Sequence, residues 1–128
     1  MLIIYVKEPI NSLNAIKSLI KDKTIKTWEC HNLQNGNTRF DWIGGGNNWP
    51  NLDKNVYFEA VVNTVEKEYI RFNLHTKQGH KLNEAEYAQM HSELTGMLFS
   101  HLSAKIEVCG IKPSKDKTYN VDIIDKQN

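Results

Sequence analysis

The sequence has few features of an exported or membrane-bound protein. It contains two cysteines among 128 residues, Cys30 and Cys109, too few for the disulfide framework of a small secreted domain. The apolar start at residues 1–6 is short and has no basic segment before it, so it does not predict a signal peptide. No stretch approaches the roughly 18 to 20 apolar residues that span a bilayer. We therefore expect a cytoplasmic protein without a membrane segment, in which both cysteines are reduced.

The chain also lacks an excess of charge of either sign. Sixteen basic and fifteen acidic residues give a net charge of +1, which argues against a nucleic-acid-binding domain that relies on a strong positive field. The acidic excess of a DNA mimic is missing as well. Two lysine runs, within residues 17–26 and 112–117, contain no arginine and no aromatic residue, a pattern typical of solvated helix and turn surfaces. The sequence therefore predicts no nucleic-acid partner.

Sequence motifs for catalysis and for cofactor binding are missing. The three glycines at residues 44–46 have neither the Gly-Lys-Ser/Thr ending of a P-loop nor the spacing of a dinucleotide site. The five histidines do not combine with carboxylates or cysteines at a spacing that marks a metal site, and neither cysteine lies in a nucleophile motif. We predict no catalytic residue, no metal and no cofactor.

Two segments show the apolar spacing of amphipathic helices. The first has a cap at Asn11 or Ser12, apolar residues at helical spacing from position 13 to position 20, and an end near position 23. The second is capped by Asn83, with Glu86 at the third helical position as in a capping box, and its apolar stripe runs to about position 103. Each helix has one apolar stripe to bury.

Alternating apolar and polar residues predict strands in the rest of the chain. The predicted strands cover residues 2–6, 25–33, 38–43, 56–63, 67–75, 106–111 and 119–124, with a turn at residues 35–37. The elements follow the order β-α-β-β-β-β-α-β-β. We predict an α+β fold in which two helices cover one face of a mostly antiparallel sheet of about five to seven strands. Residues 1–128 are predicted to form one domain, with 125–128 a frayed tail.

The hairpin at residues 56–75 offers the first candidate surface. Its apolar residues fall on one face, which is core, and Tyr57, Glu59, Arg71 and His75 fall on the other. Two interpretations of these four side chains stay open. They are charges that pair across strands for about 0.2 to 1 kcal/mol, or an acid/base group that needs a pocket and a shifted pKa. This face matters for function if neither a helix nor another layer covers it.

The loop at residues 44–53 offers the second candidate surface. Three glycines and a proline prevent a strand there, and the loop is longer than the usual connection of about 4 to 6 residues, as functional loops often are. Trp42 and Trp49 flank the amides Asn47 and Asn48, a combination typical of a recognition surface. The alternative is that both rings fold back and plug the end of the core.

Two stretches, WIGGG at residues 42–46 and YIRFNL at residues 69–74, resemble in style the small bacterial immunity proteins of contact-dependent growth inhibition and polymorphic toxin systems. Such proteins have diverse folds, so the resemblance implies no catalytic residue. It implies a protein partner, a toxin domain whose active site the chain binds and covers. The partner-binding residues are then those of the two candidate surfaces, Trp42, Asn47, Asn48, Trp49, Tyr57, Glu59, Arg71 and His75. The alternative is a small enzyme or a ligand-binding regulatory domain that uses the outer face of the hairpin.

Replacing Trp49 with alanine tests the loop as a recognition surface. We expect Trp49→Ala to weaken partner binding with little change in the thermal midpoint of unfolding, because an exposed ring contributes contact area and not core packing. A binding assay and a melt followed by circular dichroism measure the two effects. A large drop in the midpoint would show instead that Trp49 belongs to the core.

Overall fold

Seven strands and two helices make up the fold in the computed structural model, which describes residues 1–45, 55–102, 106–111 and 123–125. The strands are β1 (Leu2–Val6), β2 (Trp28–Asn32), β3 (Thr38–Trp42), β4 (Tyr57–Asn63), β5 (Tyr69–His75), β6 (Ile106–Ile111) and β7 (Ile123–Asp125). The helices are α1 (Pro9–Lys21) and α2 (Glu84–Leu102). The predicted α+β class and the predicted order of elements are confirmed.

The described strands join one antiparallel sheet in the order β2-β3-β4-β5-β1-β6-β7. β1 lies in the interior of the sheet, between β5 and β6, as suits a strand whose residues Leu2, Ile3 and Ile4 are all buried. The β4–β5 hairpin pairs Tyr57 directly with His75. Because side chains alternate along a strand, odd-numbered residues of both strands share one face.

Both helices pack on the same face of the sheet. The core cluster joins even-numbered residues of the strands to the apolar stripes of the helices, and its fully buried members include Leu2, Ile4, Ile16, Phe40, Phe58, Ile70, Phe72, Met90, Leu94 and Leu98. The Phe58 ring meets His91 of α2 edge-on, with 5.2 Å between ring centroids. The predicted inner face of the hairpin at residues 56–75 is therefore confirmed as the surface that receives the helices.

The first helix begins earlier than predicted. α1 begins at Pro9 and not after a cap at Asn11 or Ser12, because proline suits the first position of a helix, where no backbone donor is needed. Glu8 before it adopts the left-handed conformation with φ of 49°. The Ser12 hydroxyl instead donates to the Lys7 carbonyl oxygen at 3.1 Å. The helix ends at Lys21, two residues before the predicted position.

The second helix begins as predicted. The Asn83 side-chain oxygen accepts from the backbone N–H of Glu86 at 2.8 Å, and the Glu86 carboxylate accepts from the backbone N–H of Asn83 at 3.0 Å. These two bonds form the predicted capping box and satisfy two donors that the helix itself leaves free. Among the described residues, no helix has the length and hydropathy needed to cross a bilayer.

The last described strand overlaps the predicted one. β7 covers Ile123–Asp125, whereas the prediction covers residues 119–124, and it pairs with β6 through Cys109 and Ile124. Residues 112–122 lie outside the described residues. Asp125, which the sequence assigns to the frayed tail, is the last residue of this strand, and residues 126–128 of that tail lie outside the described part of the chain.

His91 is a polar residue of α2 that the core buries, at 1% exposure. Its Nδ1 donates to the Tyr87 carbonyl oxygen at 2.8 Å, and its ring packs against those of Tyr87 and Phe58. Because a carbonyl oxygen can only accept, this contact assigns the neutral tautomer with the proton on Nδ1. Burial lowers the pKa of His91 from 6.5 to about 4, with a smaller contribution from the positively charged amino terminus.

The buried imidazole predicts a loss of stability on mild acidification. The unfolded chain protonates His91 below about pH 6.5 and the folded chain does so near pH 4, so the free energy of unfolding falls across this interval, by about 3 kcal/mol at most. Urea unfolding of the wild type and of His91→Leu at about pH 7 and about pH 4.5 measures the effect, and the variant should lose less stability than the wild type. His101→Leu, at an exposed position of the same helix, should keep the wild-type dependence. Equal losses in wild type and His91→Leu would contradict the prediction.

Candidate functional site

The face of the sheet that points away from both helices, here called the outer face, carries a mixed set of side chains. It consists of alternate residues of β3, β4, β5 and β1, among them Arg39, Asp41, Tyr57, Glu59, Val61, Tyr69, Arg71, His75, Ile3 and Tyr5. All of these except Ile3 are half-buried, and no helix in the described part of the chain packs over them. The sequence made the importance of this face conditional on its being left uncovered, and neither helix covers it.

Glu59 lies at the centre of the polar contacts on the outer face. Its Oε2 accepts hydrogen bonds from the side-chain amides of Asn35 and Asn37, both at 2.8 Å, and its Oε1 accepts one from His75 Nε2 at 3.0 Å. The turn between β2 and β3 brings the two amides here, since Gly36 takes a positive φ of 86° that other residues rarely adopt. The amide bonds, with a smaller contribution from His75, hold the pKa of Glu59 below its usual value of 4.5.

Arg39 is held from three directions beside this group. Its guanidinium forms a two-point ion pair with Asp41, with both N–O distances at 2.9 Å, and Nη2 also donates to Asn55 Oδ1 at 2.7 Å. Its Cζ lies 4.0 Å from the centroid of the Tyr57 ring, which is a cation–π contact. Hydrogen bonding to Asp41 raises the pKa of Arg39. The outer face therefore carries an ordered ion pair at β3.

The Tyr57 ring joins the two groups. It stacks on the His75 imidazole, with 5.1 Å between centroids and 21° between planes, and Arg39 also lies over it. Arg39, Asp41, Tyr57, Glu59 and His75, here called the outer-face network, are therefore in continuous contact across β3, β4 and β5. Because each side chain is held by its neighbours, little rotamer freedom remains to be lost when a partner binds.

Arg71 lies outside this network, although the sequence grouped it with Glu59 and His75. The strand register places it opposite Val61 of β4 and Ile3 of β1, and not opposite an acidic residue. Its Nε is buried and has no hydrogen-bond partner among the described residues. A buried donor without a partner costs about 1 to 3 kcal/mol, and the hydrogen bonds that fix the outer-face network do not include this group.

Two tyrosines extend the outer face beyond Arg71. Tyr5 of β1 and Tyr69 of β5 lie directly opposite each other, and their rings meet edge to face with 5.6 Å between centroids. Such a pair contributes about 0.5 to 1.5 kcal/mol beyond the area that it buries. The outer face therefore has a charged end around Glu59 and an aromatic end around Tyr69, with Arg71 between them.

Trp42, which comes just before the loop that the sequence proposed as a second surface, does not lie on the outer face. Trp42 is 7% exposed and belongs to the core cluster, because it falls on the inner face of β3 in alternation with Arg39 and Asp41. Of the two interpretations of this ring, the structure supports the second, in which it plugs the end of the core. The prediction that Trp42 is an exposed partner-binding residue is therefore wrong. Asn47, Asn48 and Trp49 lie outside the described residues.

Sequence reasoning missed four residues that organise the site. Arg39 and Asp41 could have been found, since they alternate with buried residues of β3 and so belong to the outer face. Asn35 and Asn37 gave no such signal, because turn residues favour asparagine for local reasons. Their contact with Glu59 depends on the register between β3 and β4, which turn residues alone do not determine.

The described residues contain no group of three or more His, Cys, Asp or Glu side chains that could hold a metal ion. Comparison of the chain with protein-family models, with curated proteins and with solved structures finds no match. Function has therefore to be inferred from the chemistry of the outer face.

Replacing Glu59 with glutamine tests whether its carboxylate organises the outer-face network. We expect the free energy of unfolding to fall by about 1 kcal/mol at about pH 7, because a neutral acceptor replaces a charged one and the new amide faces other donors. The pKa of Glu59 is lowered in the folded chain, so its contribution is present above the unfolded value of 4.5 and is lost as the pH falls through the folded value. Urea unfolding at about pH 7 and about pH 3 should show the difference between variant and wild type shrinking at the lower pH.

Glu66→Gln is the matched control, because Glu66 is exposed in the turn between β4 and β5. It should change the free energy of unfolding by less than about 0.5 kcal/mol. If Glu59→Gln behaved like the control at both pH values, the carboxylate would not hold the network together.

Proposed function

We propose that this chain is a protein-binding module and that the outer face is its docking surface. The observation that carries the proposal is that both helices pack on one side of the sheet, while aromatic and charged side chains stand in fixed positions on the other. A surface of this kind differs from a small-molecule site, which is concave and mostly apolar.

The side chains of the outer face are of the types that contribute most to protein interfaces. Tyrosine and arginine are enriched among the few residues that supply most of the binding energy, since they bury large areas and also form hydrogen bonds. Tyr57, Tyr69 and Arg71 are half-buried on this face, so each has area left to bury. The mixture of charged and aromatic groups suits a partner that is bound after both proteins have folded.

Arg71 supplies the most specific contact in this proposal. Arg39 and Glu59 already have partners within the outer-face network, Asp41 and His75, whereas Arg71 Nε has none among the residues that the structure describes. A carboxylate on the partner would form a charge-assisted bond with the accessible part of this half-buried guanidinium, since Nε itself is buried. We therefore expect an acidic side chain of the partner to contact the centre of the outer face.

The partner that fits this surface best is a toxin domain, with the chain acting as its immunity protein in the cytoplasm. The resemblance of residues 69–74 to immunity proteins supports this, since that stretch forms most of β5 and presents Tyr69 and Arg71 on the outer face. A wide sheet face can cover the mouth of an active site by blocking it, without entering it. The charges of both signs on the outer face suit a toxin domain whose own surface is also of mixed charge.

The alternative is an enzyme or a ligand-binding domain that uses the same face. Glu59 and His75 do converge, as an acid/base pair requires. However, the His75 side chain is 41% exposed, and Glu59 is occupied by two asparagine amides. The pair therefore stands on an open face where water reaches the imidazole, and this favours the protein-binding proposal.

Affinity capture from the native host tests the proposed function. Tagged wild type, Arg71→Glu and Tyr69→Ala are used as baits, and the captured proteins are identified by mass spectrometry. The genes next to the gene of this chain are identified as well, to see whether one of them encodes the captured protein. We expect one stoichiometric partner that the wild type retains, and we expect a loss of affinity of at least about tenfold for Arg71→Glu, because repulsion replaces a desolvated ion pair. Added in equal amount, the wild type should inhibit the partner's toxic activity.

Lys26→Glu is the matched control, because it reverses a charge at an exposed residue outside the outer face. It should retain the partner and unfold at a midpoint close to that of the wild type. Tyr69→Ala should unfold at a lower midpoint, because it loses the ring contact with Tyr5, and circular dichroism should show that it and Arg71→Glu are folded at the temperature of the capture. Retention of the same partner by both Arg71→Glu and Tyr69→Ala would contradict the outer face as the docking surface. Failure of the wild type to capture any protein would contradict the protein-binding function.

A further inference from the structure

The edge strand β2 has backbone groups that no described strand uses. β2 is the first strand in the sheet order, and within the described part of the chain it pairs with β3 alone. The Ile43 N–H donates to the Thr27 carbonyl oxygen and the Leu33 N–H donates to that of Asn37, both at 2.8 Å, so odd-numbered residues from 27 to 33 direct their backbone groups towards β3. In an antiparallel ladder the residues between them point the opposite way. The backbone groups of Cys30 and Asn32 therefore point out of the sheet.

A groove runs between this edge and α1. It has a volume of about 740 Å³ and is lined on the helix side by Lys17, Ser18 and Lys21 and on the strand side by Cys30 and Asn32. A sheet edge beside a helix is the arrangement in which an extended peptide can add a strand, with backbone bonds to the edge and side chains in the groove. Trp28 and Cys30 face the core side, so the groove opens on the helix side and not on the outer face.

The groove is positively charged, although the whole chain is nearly neutral. Lys17, Lys21 and Lys23 line it, while the chain carries a net charge of +1. The acidic residue of the lining, Glu29, alternates with Trp28 and Cys30 and so lies on the other face of β2. Burial raises the pKa of the Cys30 thiol, which therefore adds no negative charge. An anionic occupant is therefore favoured.

The spacing of the lysines fits alternate residues of a strand. Lys17 and Lys21 are separated by one turn of α1, about 6 Å along the helix axis. Residues i and i+2 of a strand are about 6.6 to 6.8 Å apart and point to the same side. Two acidic side chains in alternation on an added strand would therefore match the two ammonium groups.

The geometry points to a second binding site: the groove between α1 and β2 takes an extended acidic peptide segment of another protein, which adds a strand to the edge of β2. A second copy of this chain fits less well, because it would bring a second set of lysines against the first. The site lies on the helix side of the sheet and does not depend on the proposed function of the outer face.

Titration with a fluorescent capped peptide of alternating glutamate and threonine tests this site, with a peptide of alternating glutamine and threonine as the control ligand. We expect saturable binding of the acidic peptide that weakens as salt is added, and little binding of the glutamine peptide. In an NMR titration the largest amide shifts should fall on Cys30 and Asn32. Equal binding of both peptides, or shifts confined to other residues, would overturn the proposal.

Two kinds of variant separate the charge of the groove from the edge of β2. The double variant Lys17→Glu with Lys21→Glu should lower the affinity for the acidic peptide by about tenfold or more, whereas Lys77→Glu, at an exposed position after β5, should not change it. Asn32→Pro removes an N–H that faces away from β3 and also the side-chain oxygen that accepts from Lys17 Nζ at 3.2 Å, whereas Asn32→Ala removes only the oxygen. Asn32→Pro should therefore weaken binding more than Asn32→Ala, without loss of the fold. Unchanged affinity in the double variant would overturn the proposal.

Two other occupants would also be recognised in these experiments. A single-stranded oligonucleotide that displaces the acidic peptide and binds more tightly would show that the lysines serve phosphate groups, and this would overturn the proposal. Sedimentation equilibrium that shows a dimer lost in Asn32→Pro would assign the edge to a second copy and would also overturn it. A monomer that binds the peptide and not the oligonucleotide supports it.

Discussion

The structure depends on one packing constraint, which is that two helices with one apolar stripe each must bury those stripes on a single sheet. α1 and α2 both do so on the same face, against a layer that includes Phe40, Phe58 and Phe72. Burial of such side chains contributes about 1.5 to 3 kcal/mol each. The other face of the sheet receives no helix in the described part of the chain. It can therefore carry the charged and aromatic side chains that a helix-covered face would have to exclude.

The outer face satisfies its polar groups through one another. Half-buried charges are costly unless they are paired, and Arg39 with Asp41 and Glu59 with two asparagine amides provide those partners. The Tyr57 ring then links the two groups by contact with Arg39 and His75. A surface that is already ordered in this way loses little entropy on association, which is why it suits recognition.

The sequence predicts the fold better than it predicts the contacts of the site. Periodicity places Phe58 and Phe72 in the core and Tyr57 and His75 opposite them, because alternation along a strand is local. The contact of Glu59 with His75, and not with Arg71, depends on the register between β4 and β5, which is a property of two segments together. Trp42 shows the same limit, since a tryptophan beside a glycine run is equally compatible with a surface and with a core.

Hydroxyl-radical footprinting of the chain, alone and bound to the captured partner, tests the central claim most directly. The two tyrosines of the outer face, Tyr57 and Tyr69, should react in the free chain and become protected in the complex. Tyr87, which is 5% exposed on the helix side, should react little in both states. Protection confined to α1 and α2, with Tyr57 and Tyr69 still reactive in the complex, would contradict the outer face as the docking surface.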